Sequence, residues 1–101
     1  MPVLIATITP GVDQMEAVAA IIKDFIPEVQ REEGCELYAL HRGKDCLVMI
    51  EKWADRDALR AHWSSGNLQE MNEQLVGLLA GPPTVHVLEA VPSGEASKGA
   101  L

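Results

Sequence analysis

The sequence predicts a small α+β domain in which helices cover one face of an antiparallel sheet. Short apolar and β-branched runs have the lengths of strands, and the longer segments between them repeat apolar residues at helical spacing. The polar turn Gly43-Lys44-Asp45 separates two strand-like runs, which indicates a hairpin. The chain has 101 residues, the length of one domain.

The first strand and the first helix follow from this pattern near the amino terminus. Residues 3–8 are apolar and β-branched, which is typical of a strand. Asp13 is expected to cap a helix that continues to Glu33, with a kink at Pro27 and a stop at Gly34. The apolar stripe of this helix consists of Met15, Val18, Ile22, Phe25 and Val29.

The hairpin strands are predicted at residues 35–42 and 46–53. The second of them is apolar on both faces, with Cys46, Val48 and Ile50 on one and Leu47, Met49 and Trp53 on the other. A strand with one wet face would alternate between apolar and polar residues. We therefore expect helices to cover one face of the sheet and another subunit to cover the other.

The second half predicts two helices and a last strand. Asp55 can cap a short helix that carries His62, and a break at residues 64–67 precedes a third helix that runs to about Ala80. Residues 84–91 predict the fourth strand. The resulting order, β-α-β-β-α-α-β, is a ferredoxin-like plan with its second helix broken in two. We expect this domain to span residues 1–91, and residues 92–101 to form a flexible tail.

Composition excludes several partners. The net charge is −7, which repels nucleic-acid backbones and anionic membranes. No apolar run approaches the ~20 residues of a spanning helix, and the amino terminus has no signal-like segment, so we expect a soluble cytoplasmic protein. The three histidines and two cysteines lack metal-ligand spacing, and no glycine-rich phosphate loop follows the first strand.

The candidate chemistry lies at the end of the third strand and in the helix after it. His62 has apolar helical neighbours, so it is expected to point toward the sheet, either as a general base or acid or as a hydrogen-bonded core histidine. Glu51 lies in an apolar strand, where it could orient His62 or form a structural ion pair with Lys52, Arg42 or His41.

Aromatic side chains near this cluster could bind a ring-shaped ligand. Trp53 and Trp63 could wall it and Tyr38 could supply a phenol, although all three could equally be core or interface residues. An alternative site is Pro2, whose secondary amine would become a base if Met1 were removed, as in the tautomerase superfamily. Those enzymes pair the proline with an arginine, and the first arginine here is Arg31.

Three motifs in register resemble the antibiotic biosynthesis monooxygenase family, in particular its small quinol-monooxygenase-like members. They are Glu32-Glu33-Gly34-Cys35 with Tyr38, then Val48-Met49-Ile50-Glu51-Lys52-Trp53, then Leu59-x-Ala61-His62. The likeness extends from about residue 3 to residue 91. It implies a homodimer in which two sheets pack face to face into an α+β barrel, with one pocket in each subunit between sheet and helices.

The resemblance also implies oxidation of a small aromatic, quinol-like or polyketide-like molecule by O2 with no flavin, haem or metal. His62 would be the catalytic base, with Trp53, Trp63, Tyr38, Asn67 and Met71 around the substrate and Glu51 in support. Quinol-oxidising relatives often carry a second histidine at position 67 and a tyrosine at position 71, so two proton-transfer groups are replaced here. A dimeric metabolite-binding module and an isomerase of a small carbonyl compound remain alternatives.

Overall fold

The computed structural model describes all 101 residues and has the predicted order of elements. These are β1 (Val3–Ile8), α1 (Met15–Gln30), β2 (Cys35–Arg42), β3 (Leu47–Trp53), α2 (Arg56–Trp63), α3 (Gly66–Leu75) and β4 (Thr84–Leu88). The strands form one antiparallel sheet in the order β2-β3-β1-β4. The α+β, ferredoxin-like prediction is confirmed. None of the helices is long and apolar enough to cross a membrane.

The two faces of the sheet differ in burial. Along β3, buried residues alternate with half-buried ones, and the buried set is Leu47, Met49, Glu51 and Trp53. This inner face packs with apolar residues of α1, α2 and α3 into a single core. The outer face presents half-buried apolar side chains that include Ile5, Val48 and Ile50. Glu51 and Trp53 therefore belong to the core side of the sheet.

The boundaries of α1 differ from the prediction at both ends. Asp13 does not cap the helix, because its backbone has φ +63° whereas a capping residue is extended, and Gln14 precedes the first helical residue instead. The helix continues past Pro27 but ends at Gln30 rather than at Glu33. The Glu32 N–H donates to the carbonyl of Val29, which closes the last turn. Glu32 consequently lies in the connection to β2.

The third helix and the fourth strand are both shorter than predicted. α3 ends at Leu75 because Gly77 adopts φ +82° and Leu79 then pairs with Pro10 beyond the end of β1. This pairing competes with helix continuation although Leu78 and Leu79 continue the apolar stripe. β4 ends at Leu88, which faces Val3, the first residue of β1, so the sheet offers no partner farther on. All five residues of β4 are exposed.

The hairpin has the predicted strands, with a small change at its turn. β3 begins at Leu47 rather than at Cys46, since the Cys46 carbonyl accepts the Gly43 N–H within the turn. Leu47 faces Arg42, and Tyr38 faces Glu51 directly across the two strands. Both cysteines are free thiols. The register thus brings a phenol and a carboxyl group side by side on the inner face.

Candidate active site

His62 is held on the inner side of the domain by α2. The Asp55 side chain accepts the Ala58 N–H and fixes the start of this helix, which turns Leu59 and His62 toward the core. The imidazole is only 2% exposed. Its face stacks on Trp53, with ring centroids 4.5 Å apart and planes at 26°. The Tyr38 ring packs against it in a T-shaped arrangement, with ring centroids 5.6 Å apart, so contacts with two aromatic rings orient the imidazole.

A carboxylate that sequence reasoning did not select determines which imidazole nitrogen carries the proton. His62 Nδ1 lies 2.9 Å from Glu32 Oε1, and the Asn67 side-chain amide donates to Glu32 Oε2 at 3.0 Å. A carboxylate oxygen accepts, so Nδ1–H donates and Nε2 of the neutral ring keeps its lone pair. Glu32 thus orients the His62 ring with Nε2 as its proton-accepting nitrogen.

Gly34 allows the turn that carries Glu32 to approach α2. Its φ of +81° is accessible to glycine at little cost, and a Cβ at this position would lie 2.5 Å from the Cβ of Ala58. The Ala54 N–H donates to the Gly34 carbonyl at 2.8 Å, which ties the turn to the chain just before α2. The close approach therefore requires glycine, and it brings the carboxylate of Glu32 within reach of His62.

Glu51 lies on the other side of the imidazole. Its Oε1 accepts the Trp53 indole N–H at 3.0 Å and is 3.8 Å from His62 Nε2. Burial raises the pKa of Glu51 above its ordinary value and the charge of Glu32 adds to this, while the Trp53 hydrogen bond and a charged His62 act against it.

The ion pairs considered for Glu51 from sequence do not form. Lys52 lies near Glu36, and Arg42 binds Glu16. The ring of His41 contacts the carbonyl of Ala39 on its own strand. Glu51 is therefore part of the cluster around His62.

A cavity of about 510 Å³ opens beside His62 and Glu51. Of the 19 residues that line it, 13 are hydrophobic, so it offers an apolar ligand a largely dry wall. Its only ionisable side chains are Tyr38, Glu51 and His62, and neither lysine nor arginine reaches it. Burial raises the pKa of Tyr38 far above its ordinary value, with the charges of Glu51 and Glu32 adding to the shift, so its phenol stays neutral.

Three polar atoms of this cluster are available to a ligand. His62 Nε2, Glu51 Oε2 and the Tyr38 hydroxyl form no hydrogen bond within the protein, whereas no fully buried side-chain nitrogen or oxygen lacks a partner. These three atoms must therefore retain some accessible surface. All three residues line the cavity, so a ligand bound there would lie beside them. The cavity thus has a polar end at this cluster, and Asn72 adds an amide to a wall that is otherwise largely apolar.

The other residues predicted for the site have different positions. Met71 is buried and lines the cavity, and Trp63 is half-exposed at its rim. Trp53 and Asn67 do not line it: Trp53 lies fully buried behind His62, and Asn67 binds Glu32. Pro2 is buried, and its carbonyl accepts the Trp53 backbone N–H.

Glu32 was missed although it belongs to one of the motifs that carry the family resemblance. Extending α1 to Glu33 placed it on a helix, whereas it lies in the turn after that helix. Two acidic residues before a glycine, at the junction with a strand, are the signal that could have found it. No group of three histidine, cysteine, aspartate or glutamate side chains is arranged to hold a metal ion.

Comparison with known proteins identifies the family to which this sequence and fold belong. A sequence model described as "Antibiotic biosynthesis monooxygenase" matches residues 1–74. The Mycobacterium tuberculosis protein Rv0793, which carries the provisional name of a monooxygenase, is 33% identical over 96 residues, which are 93% of each chain. Its solved structure covers 95% of this chain and 99% of its own with a TM-score of 0.82. The structure of PA3566 from Pseudomonas aeruginosa, 28% identical, covers 86% of this chain and 90% of its own with a TM-score of 0.79. The chain belongs to the antibiotic biosynthesis monooxygenase family.

Proposed function

We propose that this protein is a monooxygenase that oxidises a small aromatic, quinol-like or polyketide-like molecule with O2 and needs no flavin, haem or metal. One observation carries the proposal. Nδ1–H of His62 is engaged by Glu32, while Nε2 forms no hydrogen bond within the protein and His62 lines a largely apolar cavity. A histidine oriented in this way is suited to remove a proton from a phenol held in the cavity.

Proton removal is the step that allows a reaction without a cofactor. His62 Nε2 takes the phenol proton, and the Glu32 carboxylate stabilises the imidazolium that forms. The ring anion is electron-rich and can itself reduce O2. The apolar wall excludes water, which strengthens the electrostatic interactions within the site. The substrate thereby supplies the electrons that a flavin would supply elsewhere.

The cavity favours a neutral ring with one polar end. Its volume lies within the range of ligand pockets, about 300–1,000 Å³. Trp63 and Met71 would contact the body of the ring, and the Tyr38 hydroxyl would donate a hydrogen bond to its oxygen. Trp53 and Asn67 would not contact the substrate. Trp53 would position His62 by stacking on it, and Asn67 would position Glu32 through its hydrogen bond.

We also propose a homodimer formed through the outer face of the sheet. Ile5, Val48 and Ile50 present an apolar surface there, which supports association with a second copy. Light scattering after gel filtration should give twice the monomer mass, and Ile50→Asp should reduce it to the monomer mass. A monomer in the unmodified protein at micromolar concentration would contradict the proposal.

The function is tested by O2 uptake with a panel of hydroquinones and phenols in the absence of added cofactor. His62→Ala should lower the rate by about 100-fold or more, because general-base catalysis contributes about 10²–10⁴-fold. His41→Ala is the control, since this histidine is exposed and outside the cavity. Labelled O2 should introduce one labelled atom into the product.

Other results would point to the alternative functions. An unchanged rate in His62→Ala would remove this residue from the mechanism. Ligand-induced thermal stabilisation without O2 uptake anywhere in the panel would indicate a binding module. Proton exchange next to a carbonyl group, again without O2 uptake, would indicate an isomerase.

A further inference from the structure

The proposed reaction requires a second proton transfer after His62 has returned its proton. A phenol and O2 become a quinone and water, so the phenol proton and one ring C–H proton must both reach the oxygen atom that leaves as water. His62 removes the phenol proton and returns it to the peroxide that forms on the ring carbon. Loss of the C–H proton and cleavage of the O–O bond still need a group that both donates and accepts protons.

Among the ionisable side chains of the cavity, Glu51 fits this requirement. The three candidates are Tyr38, Glu51 and His62. Tyr38 stays a neutral phenol and serves as a hydrogen-bond donor. Asn67 lies outside the cavity and binds Glu32, and Met71, which lines the cavity, carries no ionisable group. Only Glu51 remains.

The two oxygens of Glu51 have different surroundings. Oε1 accepts the Trp53 indole N–H at 3.0 Å, while Oε2 forms no hydrogen bond within the protein, and Glu51 lines the cavity. Oε1 also lies 3.8 Å from His62 Nε2, so the two groups border the same part of the cavity. A substrate oxygen near Nε2 would therefore lie close to the free oxygen of Glu51.

Charged and titratable neighbours surround Glu51 on three sides, and the protonation state of His62 affects the pKa of Glu51. Glu32 approaches from the turn after α1, His62 from α2, and Cys35 and Tyr38 from β2. Burial and the charge of Glu32 raise the pKa of Glu51, which favours its acid form, whereas a charged His62 lowers it. Once His62 has returned its proton and is neutral again, the acid form of Glu51 is favoured for the second transfer.

We infer that Glu51 is a catalytic acid and base of the same site, acting after His62. This inference rests on the proposed function. The ring anion reduces O2 and a C–O bond forms, and the peroxide takes its proton from His62. Glu51 Oε2 then protonates the distal oxygen as the O–O bond breaks, and water leaves. The Glu51 carboxylate accepts the ring C–H proton while the C–H electron pair forms the new C=O bond, which restores the acid.

The test is Glu51→Gln, which keeps the shape of the side chain and an oxygen that can accept the Trp53 N–H. Without O2, the absorbance of the phenolate formed on binding should be unchanged. With O2, single-turnover quinone formation should slow by about 100-fold, the lower part of the range for acid–base groups, and released peroxide should increase. Glu36→Gln, an exposed glutamate of β2, is the control and should behave like the unmodified protein.

Two results would overturn the inference. Quinone formation at the unmodified rate would show that Glu51 transfers no essential proton, and an equal loss of phenolate formation would show that it only positions His62. Infrared difference spectra of the free protein provide a readout that needs no turnover. A protonated-carboxyl band at neutral pH that is absent in Glu51→Gln is expected, and its absence from the unmodified protein would refute the acid role even if O2 uptake were found.

Discussion

Replacing Glu32 by glutamine tests whether this residue determines the proton position on His62. The carboxylate accepts from His62 Nδ1 at 2.9 Å and from the Asn67 amide at 3.0 Å. A glutamine has only one accepting oxygen. If this oxygen faces His62, its NH2 group meets the Asn67 NH2, and Asn67 must turn over. If the NH2 group faces His62 instead, Nδ1 must become an acceptor and the proton moves to Nε2.

The size of the effect follows from the hydrogen bond that is lost. His62 is 2% exposed and the Glu32 side chain 16%, so water screens the pair little. Hydrogen bonds to charged groups contribute about 1.5–3 kcal/mol. If this stabilisation is realised mainly in the transition state, its loss lowers kcat/KM by about 10- to 150-fold. The neighbouring Glu33→Gln is a matched control, because Glu33 is exposed and contacts neither partner.

Nitrogen NMR of labelled histidine measures the tautomer directly, and O2 uptake measures the rate. In the unmodified protein, neutral His62 should carry its proton on Nδ1. In Glu32→Gln, the Nε2–H form should become populated and the rate should fall. A variant that keeps the Nδ1–H tautomer and the original rate would refute the role of Glu32, whatever the substrate.

Three further predictions concern Gly34, Trp53 and Glu51. Gly34→Ala forces an L residue into φ +81° with its Cβ 2.5 Å from that of Ala58, so urea denaturation should show a loss of about 1–3 kcal/mol or more in the free energy of unfolding. The control Gly66→Ala has open space around its Cβ, and an equal loss in both variants would contradict the argument. Trp53→Phe removes the N–H that stabilises ionised Glu51, so the pKa of Glu51 should rise further in an infrared titration; an unchanged or lower pKa would disprove this. Burial raises the pKa of Glu51 in the folded protein above its ordinary value of 4.5. The protein is therefore most stable, as far as Glu51 is concerned, below pH 4.5, and this stability is lost as the pH rises through the pKa of the folded state. The Tm of Glu51→Gln should therefore increase relative to the unmodified protein as the pH rises through this window, and a difference that does not change with pH would contradict the assignment.

The order of elements could be predicted because each segment has one dominant periodicity. The predicted ends of helices were wrong where the backbone conformation or a tertiary contact overrides this local signal. Leu78 and Leu79 continue the apolar stripe of α3, but the pairing of Leu79 with Pro10 removes them from the helix. Asp13 has the residue type of a helix cap, but its backbone conformation excludes that role.

The site was predictable only in part for a similar reason. His62 could be selected because its helical neighbours show which side of α2 faces the core. Its partner Glu32 lies 30 residues away in the chain, and their contact depends on a positive φ at Gly34 and on the small side chain of Ala58. Neither condition leaves a periodic pattern in the sequence. The sequence also does not show which residues line the cavity and which support His62. Trp53 and Asn67 were predicted to contact the substrate, but they contact His62 and Glu32 instead.

The absence of lysine and arginine from the cavity wall has a consequence for how the protein would choose its substrates. A ligand that already carries a carboxylate or a phosphate would meet no countercharge there, and the charge of the nearby Glu32 would repel it. The proposed substrate would enter and leave as a neutral molecule and would be charged only between the two proton transfers. The acidity of the phenol itself would then determine specificity: rings that ionise in bulk water would be rejected at entry, and rings too weakly acidic for His62 would bind without reacting.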